Sequence, residues 1–296
     1  MNQATVLQDA LFRSATIHQP HALKAFLAAW YLAKNYPDIE QEIWDQTHRL
    51  IEKTEIKINT VLSEHMEPQR FSSDRIHTRL NNAVFPAVYL VMKQWHSEKG
   101  IEDILSHYLV KAATADHYLS HHVTILLAFK VVHQQLSESQ ILPYLERLTE
   151  FVCTTYNKSK FSEPLISRDT PPAFENILEA TLKQPGFFGH NLITIAWLHR
   201  TQNEIRLDLL HSMLSNLHEQ ATQPLEYPED AMDQDTFQKT SPSENPEIFH
   251  ERINHLIFHN TRNLHQVTLA DALTYLREAF PHRTGKLSQI AEYYSN

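Results

Sequence analysis

Three segments of this chain share one pattern, a histidine opening an apolar helical run: His122-Val-Thr-Ile-Leu-Leu-Ala, His190-Asn-Leu-Ile-Thr-Ile-Ala and His265-Gln-Val-Thr-Leu-Ala-Asp-Ala. A histidine in the first turn feels the positive end of the helix dipole. The neutral ring is favoured there, and its free nitrogen can bind a metal or accept a proton. Helical spacing groups His122 with Ile125, Leu126 and Phe129, His190 with Ile193 and Trp197, and His265 with Leu269, Ala272, Leu273 and Leu276. Each ring is therefore expected to point inward, where it needs a polar partner. For a single histidine a nearby carbonyl or cap suffices. Three at equivalent positions raise the alternative of one shared pocket. His21, just after Pro20, is a candidate fourth ring, and Phe187, Phe188 and Trp197 beside His190 are the expected aromatic lining of an apolar cavity.

Other chemistries find less support. His255 and His259 stand at i, i+4, a spacing that can grip a metal, but no Glu follows His255 and the zinc-protease H-E-x-x-H is missing. His96, His107, His117, His133, His199, His211 and His218 are scattered and read mostly as surface positions. There is no G-x-S-x-G, and Cys153, the one cysteine, lies in an apolar segment where an inert buried thiol is expected. Only 4 glycines occur among 296 residues, where average usage of about 7% would give roughly twenty. No G-x-G-x-x-G or G-x-x-x-x-G-K-[ST] is present, so phosphate-cradling loops are not expected. A net charge of -9 without a Lys/Arg cluster argues against nucleic acid or an anionic membrane as the main partner.

The elements that must carry these histidines are helical. Leu23, Phe26, Leu27, Trp30 and Tyr31 recur at helical spacing, as do Leu207, Leu210, Leu214 and Leu217, and no comparable run alternates with period two. The expected fold is all-α: an irregular bundle or curved array of about ten helices in degenerate hairpins, beginning near His21, Asn82, His122, His190 and His265. Their intervals are too unequal for a solenoid. Ser137-Glu-Ser-Gln140 has the form of a capping box and should open the second helix of the third hairpin. Three breaks punctuate the pattern. These are a polar stretch over residues 63–74, a loop over 154–172 whose Asp169-Thr170-Pro171 should start a helix, and a proline-rich stretch over 220–246, read as a flexible excursion or lid. One domain over 1–296 is expected, with 1–116 as an N-terminal helical part. No leader or spanning segment is evident, which suggests a soluble cytoplasmic protein.

Against that background, Gly186-Phe-Phe-Gly-His190-Asn-Leu-Ile-Thr-Ile-Ala-Trp197 resembles the G-x-x-H-P-L-I-H-L-G-Y signature of the questin oxidase-like family. His121-His122-Val-Thr-Ile-Leu-Leu-Ala resembles its N-H-x-P-M-A-L-x-A-L motif, and His265-Gln-Val-Thr268-Leu-Ala-Asp-Ala-Leu273 its late H-A-V-T-x-x-x-A-L. The order agrees, over roughly residues 117–296. Thr194 stands where the family has a second histidine, Asn191 where it has proline, and His121 where it has asparagine.

The resemblance implies an all-α oxidoreductase that uses dioxygen, with NADPH as co-substrate, on aromatic polyketide-like small molecules. On the residues themselves, His122, His190 and His265, with His21, are candidate ligands of a non-haem metal, iron being the best fit for imidazoles with open positions. A metal-free pocket with His190 as general base, and a helical interaction scaffold in which the histidines are incidental, are the alternatives.

Overall fold

Apolar residues recurring every three to four positions build fifteen α-helices in the computed structural model, which describes residues 1–15, 20–113, 119–157, 170–225, 231–259 and 261–296. They are α1 (Gln3–Leu11), α2 (Ala22–Asn35), α3 (Glu40–Thr54), α4 (Ser73–Asn81), α5 (Ala87–Lys99), α6 (Ile101–Ala113), α7 (Leu119–His133) and α8 (Ile141–Thr155). The chain continues through α9 (Phe174–Lys183), α10 (His190–Thr201), α11 (Leu207–Thr222), α12 (Gln234–Phe237), α13 (Pro246–Phe258), α14 (Leu264–Ala279) and α15 (Thr284–Ser295). Two short strands, β1 (Arg13–Ala15) and β2 (Glu55–Lys57), form the one sheet among the described residues, antiparallel with Ala15 opposite Glu55. The fold is all-α.

The five expected hairpins are present as packed pairs: α2 with α3, α5 with α6, α7 with α8, α10 with α11, and α14 with α15. The other five helices connect or flank them. Ser137 and Gln140 make the expected capping box ahead of α8. The first helices of four pairs form the centre, with α2 and α10 each packed against both α7 and α14. Their interiors are close to fully buried: every residue from Val123 to Phe129 and from His190 to Leu198 is buried. Helices apolar all round, as α7 nearly is, belong in the middle of a helical fold. Amphipathic α3 and α11 turn polar faces outward.

The two longer breaks are described in part. Within 220–246, of which 226–230 lie outside the described residues, α11 runs on to Thr222, α12 follows, and Phe237 and Thr240 are buried, their carbonyls accepting from Gln289 Nε2 at 3.4 and 3.1 Å. One apolar anchor, Phe237, and a strong helix start at its end explain this. Asn245 accepts from the Glu247 N–H at 2.8 Å, with Pro246 in the first helical position. The described part of the 154–172 loop ends at 157 and resumes at 170. Asp169 lies outside the described residues, and α9 opens at Phe174 rather than at Pro171, after Ala173 in an extended conformation. No helix among the described residues is long and apolar enough to cross a membrane.

Candidate metal centre

Each central helix brings one imidazole to a common point. His190 is the first residue of α10 and His265 the second of α14; His21 sits just ahead of α2, and His121 lies in the first turn of α7. The local sequence explains the placement. Asn263 caps α14 by accepting from the His265 N–H at 2.9 Å. Gly186 and Gly189 take φ near +75°, and Phe188 between them has φ +46°. A Cβ at Gly189 would lie 2.6 Å from Leu269 Cδ1, so glycine there lets α10 and α14 close on each other.

The geometry centres on His121 Nε2, which lies 3.1 Å from His21 Nε2, 3.1 Å from His190 Nε2 and 3.4 Å from His265 Nε2. One ring nitrogen from each of His21, His121 and His265 falls within a 4.8 Å group. A neutral imidazole nitrogen has either one N–H or one lone pair, so His121 Nε2 can make one hydrogen bond but not three. A single cation would resolve the conflict. Bonds of about 2.1 Å to one ion set adjacent nitrogens about 3.0 Å apart in octahedral and about 3.4 Å apart in tetrahedral geometry. The three spacings to His121 Nε2 span that interval; His21, His121 and His265 form the group whose nitrogens all lie close to one another, with His190 as a fourth ring beside His121, and the donor set suits a divalent transition metal.

The electrostatics suit it too. Burial, reinforced by neighbouring rings and Lys24, holds His121, His190 and His265 well below the ordinary histidine value, so their lone pairs are available at neutral pH. Lys24, one turn into α2, is fully buried and its Nζ has no hydrogen-bond partner among the described residues; burial lowers its ammonium to about 7. A neutral amine is both a nitrogen donor and a base.

Aromatic rings flank the cluster. Phe188 stacks on His265 with centroids 5.5 Å apart and planes 13° from parallel, and Phe187 stacks on His190 at 5.7 Å and 25°. Phe187 is 43% exposed, so this wall runs from the buried imidazoles to the surface.

The expected site residues therefore divide. His21, His190, His265, Phe187 and Phe188 come together. His122 does not join them: its ring packs against Tyr156, centroids 5.7 Å apart, and the Tyr156 hydroxyl donates to its carbonyl at 2.5 Å. Because α7 is buried all round, its apolar pattern could not distinguish the face of residue 122 from that of 121, and the one-residue error turns the side chain by about 100°. Trp197 is buried two turns along α10, beside Arg200 rather than beside the imidazoles. Thr194, at the family's second histidine, donates to the His190 carbonyl at 2.8 Å.

The remaining candidates lie elsewhere. His255 and His259 stack at 4.0 Å, exposed at the end of α13. His96, His107, His133, His199, His211 and His218 are half-buried rather than superficial, and His117 lies outside the described residues. Cys153 is buried, its thiol pushed up to about 12 by desolvation, as an inert residue should be. A cleft of about 860 Å³ lined by Asp9, His48, Glu52 and Lys57, among others, contains none of the four rings.

Three participants carry weaker signals or none. His121 is half of a His-His dipeptide; Lys24 is a lone charge in the apolar run Ala-Leu-Lys-Ala-Phe; Glu55, whose carboxylate receives the His21 N–H at 2.5 Å, has no signal in its own neighbourhood. Compared with protein-family models, curated proteins and solved structures, the chain matches none.

Proposed function

We propose that the protein is an oxidoreductase in which His21, His121, His190 and His265 hold one non-haem metal, iron by preference, beside a pocket for a flat aromatic small molecule. The convergence of three imidazole nitrogens on His121 Nε2 at 3.1–3.4 Å carries this reading. Imidazole donors suit iron, and an iron centre with open positions supplies dioxygen activation. The resemblance to the questin oxidase-like family points to the same class, with NADPH as reductant taken up as a co-substrate.

The chain's own residues divide the remaining work. Phe187 and Phe188 offer ring faces on which an aromatic substrate stacks, an arrangement favoured when centroids lie about 4.5–7 Å apart. Burial around His190 and Lys24 keeps water from the reacting centre and strengthens each local electrostatic interaction. Lys24, its ammonium lowered by burial to about 7, can accept the proton that a phenolic substrate gives up on binding.

The test is metal content. Protein purified, or reconstituted anaerobically with Fe(II), is expected to hold about one ion per chain and to lose most of it on His121→Ala or His190→Ala. A wild-type protein that takes up neither iron nor another divalent metal overturns the proposal.

A further inference from the structure

We infer that Glu55 is the positioning residue for His21, and so for the four-imidazole site; the inference rests on the metal-binding reading above. The N-terminus of α2 is built unusually. Most helices start on a Ser, Thr, Asp or Asn whose own side chain satisfies the first N–H groups. Here His21 occupies that position with φ −101° and ψ −18°, and no local side chain caps the helix. The acceptor comes from 34 residues away. Glu55 Oε1 receives the His21 N–H at 2.5 Å and the Ala22 N–H at 2.9 Å.

The two-stranded ribbon serves to seat that carboxylate. Glu55 opens β2 opposite Ala15 and is 5% exposed. Arg13 Nη1 donates to the Glu55 carbonyl at 3.1 Å, and Arg13 is itself held by Asp9 through Nε at 3.0 Å and Nη2 at 3.2 Å. A carboxylate this deep is expensive to bury unless hydrogen bonds and a positive helix end offset the desolvation, and both are supplied by the start of α2. The consequence is geometric. His21 lies at a chain end of its helix, where fraying is easiest, yet its Nε2 must hold a 3.1 Å separation from His121 Nε2. Glu55 pins the His21 backbone to the ribbon and to α1. Sites of this kind tolerate displacements of only about 0.5 Å.

The experiment compares Glu55→Gln, which keeps the acceptor oxygen, with Glu55→Met, which keeps the length and loses it, each in the wild-type and His21→Ala backgrounds. Co(II) is the probe, read by its visible ligand-field spectrum, with circular dichroism and melting temperature recorded on the metal-free proteins. Glu55→Met is expected to weaken cobalt binding about 10–100-fold and to change the spectrum, Glu55→Gln to stay within about threefold of wild type, and Glu55→Met to add no further loss once His21 is alanine. Cobalt binding by Glu55→Met equal to wild type overturns the inference, and so does an equal loss in the His21→Ala background. If Glu55→Met does not fold, Glu55→Asp, whose carboxylate is withdrawn by one methylene, takes its place with the same expected direction. Should the wild type take up no cobalt, the metal reading fails by itself, and the inference is read from the imidazole ¹H–¹⁵N signals of His21 and His121 in metal-free protein. A shift in the acceptor-less variant but not in Glu55→Gln upholds it; unmoved signals overturn it.

Discussion

Arg200 and Asp271 form a buried two-pronged ion pair, Nη1 to Oδ2 at 2.9 Å and Nη2 to Oδ1 at 2.7 Å, joining the helices that carry His190 and His265. The guanidinium also lies over the rings of Tyr31 at 3.8 Å and Tyr275 at 4.5 Å. Tyr31, Arg200 and Tyr275 each stand ten residues after a cluster histidine, so α2, α10 and α14 leave the imidazoles side by side and meet again about 15 Å further along. The helices are thereby fixed at two points, and the spacing of the imidazoles depends on both.

Removing one member of this pair leaves the other as an uncompensated buried charge. Arg200→Met or Asp271→Leu is expected to cost about 3–5 kcal/mol in urea unfolding, and the double variant less than either single change, because apolar replacement of a whole buried pair is often close to neutral. Single variants with wild-type midpoints would show that the pair contributes nothing to the brace.

Lys24 and Glu55 give the metal-free protein a defined pH dependence. Burial lowers the Lys24 ammonium from 10.5 to about 7, so between those values the unfolded chain keeps a proton that the folded chain has lost. Stability therefore rises with pH across that window and falls away as pH drops through 7, by a total of the order of 5 kcal/mol. Glu55 runs the other way: desolvation raises its carboxyl from 4.5 to about 7, so its contribution is full below 4.5 and is lost as pH rises through 7. Lys24→Met should stabilise the metal-free chain by about 2–4 kcal/mol at pH 7 and flatten the curve between pH 7 and 10. Urea titrations at pH 5, 7 and 9.5 check both limbs; an unchanged upper limb in Lys24→Met would contradict the assignment.

Gly189 combines a φ of +75° with a close contact, 2.6 Å from a built Cβ to Leu269 Cδ1. Gly189→Ala therefore meets backbone strain and overpacking together and is expected to cost about 2–4 kcal/mol. Leu269→Ala, which clears the space, should recover part of the double variant's loss in a double-mutant cycle. Strict additivity of the two changes would mean that the contact does not govern the approach of α10 to α14.

How much of this was legible in the sequence depended on local punctuation. His190 and His265 could be placed because each opens an apolar run at helical spacing, and the five hairpins followed from uninterrupted helical spacing between polar breaks. His121 could not be separated from His122, because seven successive buried residues give α7 no outside against which to orient an inside. Glu55 depends on a ribbon of three-residue strands, too short to leave an alternating pattern, and on a contact across 34 residues. The meeting of Tyr31, Arg200 and Tyr275 follows only once three helices are known to run side by side from one point.

The neighbouring histidines of α7 make the sharpest test of the site. His121 Nε2 is the hub of three short nitrogen contacts, whereas His122 packs on Tyr156. If the cluster holds a metal, His121→Ala removes the ligand nearest to all the others and should abolish most binding, since a centre that loses its hub also loses the mutual constraint on the remaining rings. His122→Ala should leave metal content within about twofold of wild type and cost only about 1–2 kcal/mol through lost packing against Tyr156. Measuring iron and zinc per chain together with melting temperature separates the outcomes. Equal metal loss in both variants, at equal loss of stability, would mean that metal content follows the integrity of α7 rather than ligation by His121. Loss confined to His122→Ala would move the site to the other face of the helix, and the four-ring assignment would then be wrong.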